Sequence, residues 1–388
     1  MVMSQSEPEV HKGLDGVVVD RTAVSMVNPA TNSLTYRGYP VQQLAANCSF
    51  EEVAYLIWND ELPTAAQLAD FEESERLLRA IPQDLIEVIA HLPISCHPMD
   101  VLRTGLSYLG ACDPREEDLS REANLEKSLD MMAKIPTLVA LDQRRRRSQA
   151  MIAPDPSLGF AANFLNMCFG EVPEQEIVDC FEISLILYAE HSFNASTFTA
   201  RVVTSTLSDI YSSVVAAVGA LKGPLHGGAN EAVMRMMLEI GDPDQAVDWL
   251  HQALAEKRVV MGFGHRVYKT GDSRVPTMRA ALEKTAALRD GEVWMQMYRA
   301  LEETMIAEKA IYPNLDFPSG PAYYLMGFDP ELFTSIFVVS RITGWTAHVI
   351  EQLQSNALIR PLSLYVGPEE RAVTARTATS SWRRAAVP

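Results

Sequence analysis

Apolar side chains recur at intervals of three and four residues along most of the chain, which is the period of one face of an α-helix. Two apolar runs near the N-terminus, GVVVD (16–20) and SLTYRGY (33–39), instead flank the turn-forming residues NPATN and predict a short β-hairpin. The pattern therefore predicts an all-α fold of many packed helices that follow this hairpin. The clearest helical stretches cover 50–58, 84–92, 126–143, 174–190, 209–223 and 332–354.

One part of the helical pattern is bounded by glycine and proline clusters. Four helical stretches lie between GPLHGG (223–228) and YPNLDFPSGP (312–321). They read ANEAVMRMMLEI, QAVDWLHQALAEK, VPTMRAALEKTAALRD and VWMQMYRALEETMIAEKA. Because such clusters are typical of hinges, we expect a small domain inserted into a larger one.

Composition and charge narrow the class of protein. The 388 residues are 47% hydrophobic and 21% charged and carry a formal net charge of −17, which argues against a nucleic-acid or anionic-membrane surface. The five cysteines form no CxxC pair, which suits a reducing compartment. The polar start MVMSQSEPEVHKG lacks the apolar core of a signal peptide, and the apolar run VVAAVGAL (214–221) is too short to span a bilayer. We therefore expect a cytoplasmic protein.

Against this acidic background, the stretch MGFGHRVYKTGDSR (261–274) gathers positive charge around His265. It holds Arg266, Lys269 and Arg274 against a single acid, Asp272, and two glycines lie close before the histidine. Such a cluster predicts an anionic ligand. Arginine suits carboxylates, because its planar fork donates two parallel hydrogen bonds to them.

Three histidines interrupt the helical pattern beside glycines or small polar residues: His191 in EHSFNAS, His226 in GPLHGGAN and His265 in GFGHRV. For any one of them alone, a capping or core histidine beside a turn is the simpler interpretation. The chain has no dinucleotide fingerprint, no phosphate loop, no GxSxG elbow and no metal-ligand spacing such as HExxH. The three histidines and the cations together indicate a metal-free site for carboxylates and proton transfer.

The motifs resemble those of the citrate synthase family. The matching stretches are GFGHRVYKTGDSR, GPLHGGANE, EHSFNASTFTARV, YPNLDFPSG and SRITGWTAHVIEQ with NALIRP, in the family's order from about Gly13 to Gly367. The N-terminal stretch most resembles the bacterial, actinobacterial-type 2-methylcitrate synthases. The resemblance implies an all-α homodimer in which a small domain closes over substrate. It would place the large domain at 13–226 and 321–375 and the small domain at 227–320, with flexible tails at 1–12 and 376–388.

The resemblance also implies a reaction. Propionyl-CoA, oxaloacetate and water would give 2-methylcitrate and CoA, and acetyl-CoA would also be accepted. Coenzyme A enters only as the substrate thioester, with no cofactor and no metal. Two alternatives stay open: a citrate synthase whose main substrate is acetyl-CoA, and a non-catalytic helical protein that binds CoA esters.

Residue roles follow from the resemblance, each beside a structural alternative. Asp316 would be the base that removes the α-proton, although aspartate there also suits a helix N-cap, and His226 would donate to the enolate oxygen. His265 would polarise the oxaloacetate ketone, and His191 would also contact oxaloacetate. The residues expected to bind the carboxylates of oxaloacetate are Arg274, Arg341 and Arg360, the last from the other subunit. The residues expected to contact CoA are Lys269, Gly262, Phe263 and Gly264.

Without the motif, Arg341 reads as a surface arginine on an amphipathic helix and Arg360 as a charge at a helix end. The run Arg144–Arg147 reads as a solvated cap at a helix C-terminus, with a CoA contact as the alternative. The acyl group is the hardest feature to predict, because one methylene changes affinity by only about 1–3 kcal/mol. Pro318 stands where many citrate synthases carry an aromatic residue, which would leave room for the extra methyl group of a propionyl chain.

Overall fold

A computed structural model describes residues 9–265, 267–268 and 270–372. These residues form sixteen α-helices and one small sheet, so the predicted helical class is confirmed. The helices are α1 (Val41–Asn47), α2 (Phe50–Asn59), α3 (Ala65–Leu78), α4 (Gln83–Ala90), α5 (Pro98–Ala111), α6 (Arg121–Arg146), α7 (Phe160–Phe169), α8 (Gln175–Tyr188), α9 (Ala195–Thr204), α10 (Ile210–Leu221), α11 (Ala229–Ile240), α12 (Ala246–Ala255), α13 (Val275–Leu288), α14 (Glu292–Lys309), α15 (Asp316–Leu325) and α16 (Phe333–Gln354).

The sheet contains the predicted hairpin, but its first strand was misplaced. Strands β1 (Ser25–Asn28), β2 (Ser33–Tyr36) and β3 (Tyr39–Pro40) pair antiparallel in sequence order, and NPATN connects the first two. The run 16–20 forms no strand. Its central valine, Val18, is 89% exposed. An apolar run is stable as a strand only where a neighbouring strand and a core cover it, and here β1 pairs with β2 instead.

Helix α16 forms the centre of the helical core. Every residue from Phe333 to Ile350 is buried, including polar ones, so this helix is covered on all sides by protein. It packs against α6, α8, α9 and α10. Side chains that project from α16 therefore lie at fixed positions inside the molecule, which suits residues that must hold a ligand.

The four helices predicted between the glycine and proline clusters are present as α11, α12, α13 and α14. Part of the second cluster differs from the expected loop, since residues 316–321 already belong to α15. Pro318 lies in the first turn of α15, where the missing N–H of proline has no partner to lose, whereas Pro321 lies inside the helix. Helix α15 packs between α11 and α13.

The residues from Thr22 to Ile359 form one compact unit, and the described residues before and after them belong to a second. The predicted division into 13–226 with 321–375 and 227–320 stays a prediction. The predicted tails, 1–12 and 376–388, lie outside the described residues except for 9–12. In the part of the chain that is described, no helix has both the length and the apolar character needed to cross a membrane.

The arginine run Arg144–Arg147 lies at the C-terminal end of α6, as predicted, but it is not a solvated cap. All four side chains are half-buried, and each donates to a backbone carbonyl oxygen of a neighbouring segment. Arg145 and Arg146 share the carboxylate of Asp142, and Arg147 pairs with Asp329. The run therefore attaches neighbouring loops to the end of α6 through hydrogen bonds. Loop carbonyl groups that are shielded from water need such donors from the protein.

Candidate active site

In the turn that carries His265, the glycine backbone packs closely against neighbouring side chains. Gly262 and Gly264 have φ values of 83° and 78°, a region that favours glycine. A Cβ on Gly262 would lie 2.6 Å from the side chain of Val233, so the position also has no room for one. Phe263, between the glycines, forms an isolated β-bridge with Pro313. The sequence GFG thus fixes the direction in which the next residue, His265, projects.

The tautomer of neutral His265 follows from its hydrogen bonds. The backbone N–H groups of Val267 and Tyr268 donate to Nδ1 over 3.0 and 3.1 Å. Because a backbone N–H can only donate, Nδ1 must accept, and the ring proton lies on Nε2. In the neutral ring, Nε2 of His265 is therefore the donor atom.

His191 lies in the loop between α8 and α9, next to Ser192, whose φ is 51°. The ring is only 8% exposed, and its centroid is 5.1 Å from that of His265. Burial and then the positive charge of Arg274 hold the pKa of His191 well below its usual range, so the ring is neutral. Its Nε2 is buried and has no hydrogen-bond partner among the described residues. A buried polar atom of this kind indicates a place for a ligand atom.

His226 follows α10, in the turn that leads to α11. Its Nε2 accepts from the backbone N–H of Ser196 over 3.2 Å, which places the proton of the neutral ring on Nδ1. The Ser196 hydroxyl lies 2.8 Å from the same nitrogen and accepts from Trp345 Nε1 over 3.0 Å. Burial, followed by the charge of Arg341, lowers the pKa of His226 to about 4. The ring is therefore a neutral donor at physiological pH.

Arg274 is 6% exposed and paired with a carboxylate two residues before it. Its Nε and Nη2 donate to the two oxygens of Asp272 over 3.0 and 2.7 Å, and Nη1 points to the carbonyl of Leu187 at 3.4 Å. Burial opposes the charge of both groups, but the pair holds the pKa of Asp272 below its usual range and raises that of Arg274. The cation is thus permanent, with part of its fork already used by Asp272.

Arg341 projects from the buried helix α16 and is 2% exposed, so it is not the surface arginine of the alternative interpretation. Its Nε donates to the carbonyl of Tyr188 over 2.7 Å, and its guanidinium lies 4.7 Å from the ring centre of Phe337. Burial lowers the pKa of Arg341 to about 10, against the attraction of Glu190. Its two terminal nitrogens have no hydrogen-bond partner among the described residues, and such a buried guanidinium is well suited to bind a carboxylate.

Asp316 is the first residue of α15, and the N-cap position is occupied by Leu315, so Asp316 is not the N-cap of the alternative interpretation. The half-buried carboxyl instead accepts a hydrogen bond at Oδ1 from the Tyr188 hydroxyl, over 2.6 Å. Burial raises the pKa of Asp316 to about 6, although Tyr188 and Arg274 lower it. A carboxylate with a raised pKa is suited to accept a proton near neutral pH.

These six residues lie close enough to influence one another. The charge of Arg341 lowers the pKa of His191, His226 and Asp316 alike. The rings of His265 and His191 are neighbours, with 5.1 Å between their centroids. Elements far apart in the sequence thus surround one site with three histidines, two buried guanidinium groups and the carboxyl group of Asp316.

Two predicted residues are not placed in this site by the structure. Lys269 lies outside the described residues. Arg360 belongs to the other compact unit and is exposed.

Beside the GFGH turn there is a cavity of about 170 Å³. It is lined by Gly264, His265, Tyr268, Gly271, Asp272 and Ala310–Pro313.

Sequence reasoning missed several residues that hold the site together. Asn314 donates through Nδ2 to the carbonyl of Gly264 and accepts at Oδ1 from the backbone N–H of Asp316. Tyr188 donates to the carboxyl group of Asp316, and Ser196 fixes the tautomer of His226. Asn314 stands inside a recognised motif, so its motif could have signalled it. Tyr188 carries no such signal, because it reads as one more apolar position of an amphipathic helix.

In the described part of the chain, no group of three or more histidine, cysteine or acidic side chains could hold a metal ion.

Comparison with known proteins identifies similar sequences over nearly the whole chain. The family model for the citrate synthase C-terminal domain matches residues 13–362. A 2-methylcitrate synthase of Mycobacterium tuberculosis is 63% identical over 364 residues, which cover 94% of this chain and 92% of the relative. A citrate synthase of Mycolicibacterium smegmatis is 64% identical over 366 residues, covering 94% and 97%.

A solved structure has the same fold. It is the ternary complex of carboxymethyl coenzyme A and oxaloacetate with the citrate synthase of Thermoplasma acidophilum. The TM-score is 0.90 at 34% identity, and the match covers 95% of this chain and 98% of the other. The relative carries a coenzyme A analogue and oxaloacetate together.

Proposed function

The chain belongs to the citrate synthase family and condenses an acyl-CoA with oxaloacetate, and we propose that propionyl-CoA is its preferred acyl donor. The product would be 2-methylcitrate, released with CoA after hydrolysis of the thioester. The observation that carries the chemistry is the pairing of the Asp316 carboxyl, whose pKa is raised to about 6, with two histidines whose hydrogen bonds place the proton of the neutral ring on Nδ1 of His226 and on Nε2 of His265.

In the first step, the ionised carboxylate of Asp316 takes a proton from the carbon next to the thioester carbonyl. The electrons move onto the thioester oxygen, and Nδ1–H of His226 donates a hydrogen bond to that enolate oxygen. A neutral donor is sufficient for this role when it is already oriented, because the site then has no solvent to reorganise. The hydrogen bonds from Ser196 and Trp345 support this orientation.

In the second step, the enolate carbon attacks the ketone carbon of oxaloacetate. The ketone oxygen becomes an alkoxide, which Nε2–H of His265 stabilises by a hydrogen bond and protonates; the proton that Asp316 took in the first step then returns to His265, which restores both groups. Arg274 and Arg341 bind the carboxylates of oxaloacetate, and Nε2 of His191, which has no partner among the described residues, contacts the same ligand. Water then hydrolyses the thioester, which yields the tricarboxylate and free CoA.

We assign the coenzyme A moiety to the GFGH turn and its small cavity, with Gly262, Phe263 and Gly264 against the ligand and Lys269 as a phosphate contact. Arg360 completes the carboxylate clamp from the second subunit of a homodimer. The five free cysteines suit a cytoplasmic enzyme. Coenzyme A acts only as part of the substrate, and no metal takes part in any step.

The acyl preference is tested by thiol release from propionyl-CoA and from acetyl-CoA, each with oxaloacetate, on one preparation. We expect kcat/KM to be about 10- to 200-fold higher for propionyl-CoA, the range that one methylene in an apolar pocket can supply. The buried Pro318, two residues after the base, supports this choice because it is smaller than an aromatic side chain.

The 64% identity to a protein named citrate synthase supports a second candidate, in which acetyl-CoA is the main substrate. Higher kcat/KM with acetyl-CoA would favour that candidate. No thiol release with either donor, while CoA esters still bind, would leave the non-catalytic CoA-ester-binding protein as the remaining interpretation.

A further inference from the structure

Tyr188 contacts the proposed active site through both its side chain and its backbone. It is the last residue of α8 and is only 2% exposed. Its hydroxyl donates to Oδ1 of Asp316 over 2.6 Å, and its carbonyl accepts from Nε of Arg341 over 2.7 Å. Its ring packs on Phe337, with 4.3 Å between ring centres. The phenol therefore has little freedom to leave the carboxyl.

We propose that Tyr188 is a positioning residue for the base: its phenol holds Oδ1 of Asp316, stabilises the ionised carboxylate and leaves Oδ2 to take the substrate proton. This inference rests on the proposed role of Asp316. According to this inference, Tyr188 affects how readily Asp316 takes up a proton, and it does not affect which acyl group is accepted. Among the described residues, no group donates to Oδ2.

The charges around Asp316 explain why one hydrogen bond matters. Two charges come from the segment before α13: Arg274 lowers the pKa of the Asp316 carboxyl, and Asp272 raises it. Arg341 of α16 also lowers that pKa. The other titratable residues of its own helix are Tyr323, which burial keeps neutral, and Tyr324. None of these groups hydrogen-bonds the carboxyl directly, whereas Tyr188 does.

The phenol itself stays protonated over the working range. Burial, and then the negative charge of Asp316, raise the pKa of Tyr188 well above its ordinary value. It is therefore a permanent donor to the carboxylate. A hydrogen bond to an ionised group favours that form over the protonated one, so removing the phenol destabilises the ion.

The test replaces Tyr188 by phenylalanine, which keeps the ring and its packing on Phe337 but removes the donor. The dependence of kcat on pH is measured with propionyl-CoA and oxaloacetate. We expect the acidic limb to move upward by about one to two pH units, so that the loss is about 10-fold or more below pH 6 and shrinks toward pH 9. A limb at the wild-type pH would overturn the inference.

The matched control is Tyr323→Phe, which also removes a buried phenol from the same region. Its hydroxyl donates to Ser184 over 3.2 Å and not to the base. We expect the acidic limb of this control to stay where it is in the wild type. If both variants move the limb equally, the effect belongs to general packing and the inference is wrong.

Two further measurements cover a poorly folded variant and a failure of the proposed function. Incorporation of 3-fluorotyrosine at position 188 makes the phenol a stronger donor, so the limb is expected to move downward; an unmoved limb contradicts the inference. Infrared difference spectra against Asp316→Asn follow the same carboxyl without turnover. An unchanged carboxyl titration in Tyr188→Phe sinks the inference even if no thiol is released, whereas the absence of thiol release sinks only the proposed reaction.

Discussion

Two aspartates of the site carry the same functional group in different surroundings. Asp272 accepts two hydrogen bonds from the Arg274 side chain, which keep its pKa below the usual range. Asp316 accepts one from a neutral phenol in a half-buried position, and its pKa rises to about 6. The first is therefore a permanent anion that orients a cation, and the second can exchange a proton near neutral pH.

Replacement of Asp316 by asparagine tests this division at the residue scale. The amide keeps the size of the side chain but cannot accept the α-proton. We expect kcat to fall by about 10²- to 10⁴-fold, the usual contribution of a general base, with little change in the affinity for oxaloacetate. Steady-state rates and calorimetric titration with oxaloacetate measure the two effects. A kcat within tenfold of the wild type would contradict the assignment of the base.

The same substitution has a predicted effect on stability. Because the folded pKa of Asp316 lies above its unfolded value, this group favours folding at low pH, and that contribution is lost as the pH rises through about 6. We expect Asp316→Asn to unfold at a higher temperature than the wild type at pH 8. The difference should shrink as the pH falls toward 4. Thermal unfolding at several pH values measures this; an equal difference at every pH would exclude a raised pKa.

At the scale of helices, the site depends on how closely α16 approaches the end of α8. Gly344 of α16 lies at the contact, where a Cβ would meet Oε2 of Glu190 at 2.3 Å and the carbonyl of Ala189 at 2.5 Å. One turn earlier on the same face, Arg341 reaches the carbonyl of Tyr188. The missing side chain of Gly344 thus permits the approach that fixes the guanidinium.

A methyl group at this contact should therefore separate the two helices. We expect Gly344→Ala to lower the free energy of unfolding by at least about 1–3 kcal/mol, the usual effect of overpacking a core. It should also raise the KM for oxaloacetate, because Arg341 moves with its helix. Denaturant unfolding and steady-state kinetics provide the two readouts.

Gly159→Ala is the control for this comparison. Gly159 precedes α7 with a φ of −64°, and a Cβ there meets nothing within 4 Å. We expect a loss below about 1 kcal/mol and an unchanged KM for oxaloacetate. Equal effects of the two alanines would show that the close approach at Gly344 is not important.

At the scale of the whole molecule, the proposed clamp is incomplete within the unit that holds the site. Asp316, Arg274 and Arg341 lie between Thr22 and Ile359, whereas Arg360 follows that unit. In a symmetric dimer, a residue that crosses the interface completes both sites by the same contact. A clamp that takes Arg360 from the other subunit therefore requires the homodimer.

Mixing two inactive variants tests this arrangement. Asp316→Asn and Arg360→Ala are each expected to be nearly inactive as homodimers. After subunits exchange, half of the dimers are mixed, and each mixed dimer has one site with an intact base and an intact partner arginine. We expect about a quarter of the wild-type rate to return. No recovery, with mixed dimers demonstrated by differential tagging, would place Arg360 in its own subunit's site or outside any site.

The sequence by itself determined the helices and the residues with chemistry. Their apolar period predicted α2, α4 and α16, because burial of one face or of a whole helix leaves a pattern in the chain. The motifs predicted His191, His226 and His265 as site residues because side chains that react are of few types, and their catalytic roles stay predictions. The misplaced strand at 16–20 shows the limit: whether an apolar run pairs depends on a partner that the run does not specify.

Only the tertiary structure decided which atoms of these residues are available. The tautomer of His226 depends on the backbone N–H of Ser196 in another segment, that of His265 on the folded conformation of its own turn, and the pKa of Asp316 on burial and on Tyr188. Such effects act through space over a few ångströms, between residues up to 128 positions apart in the chain. Sequence patterns record the period and identity of side chains, but protonation and donor direction are properties of the assembled site.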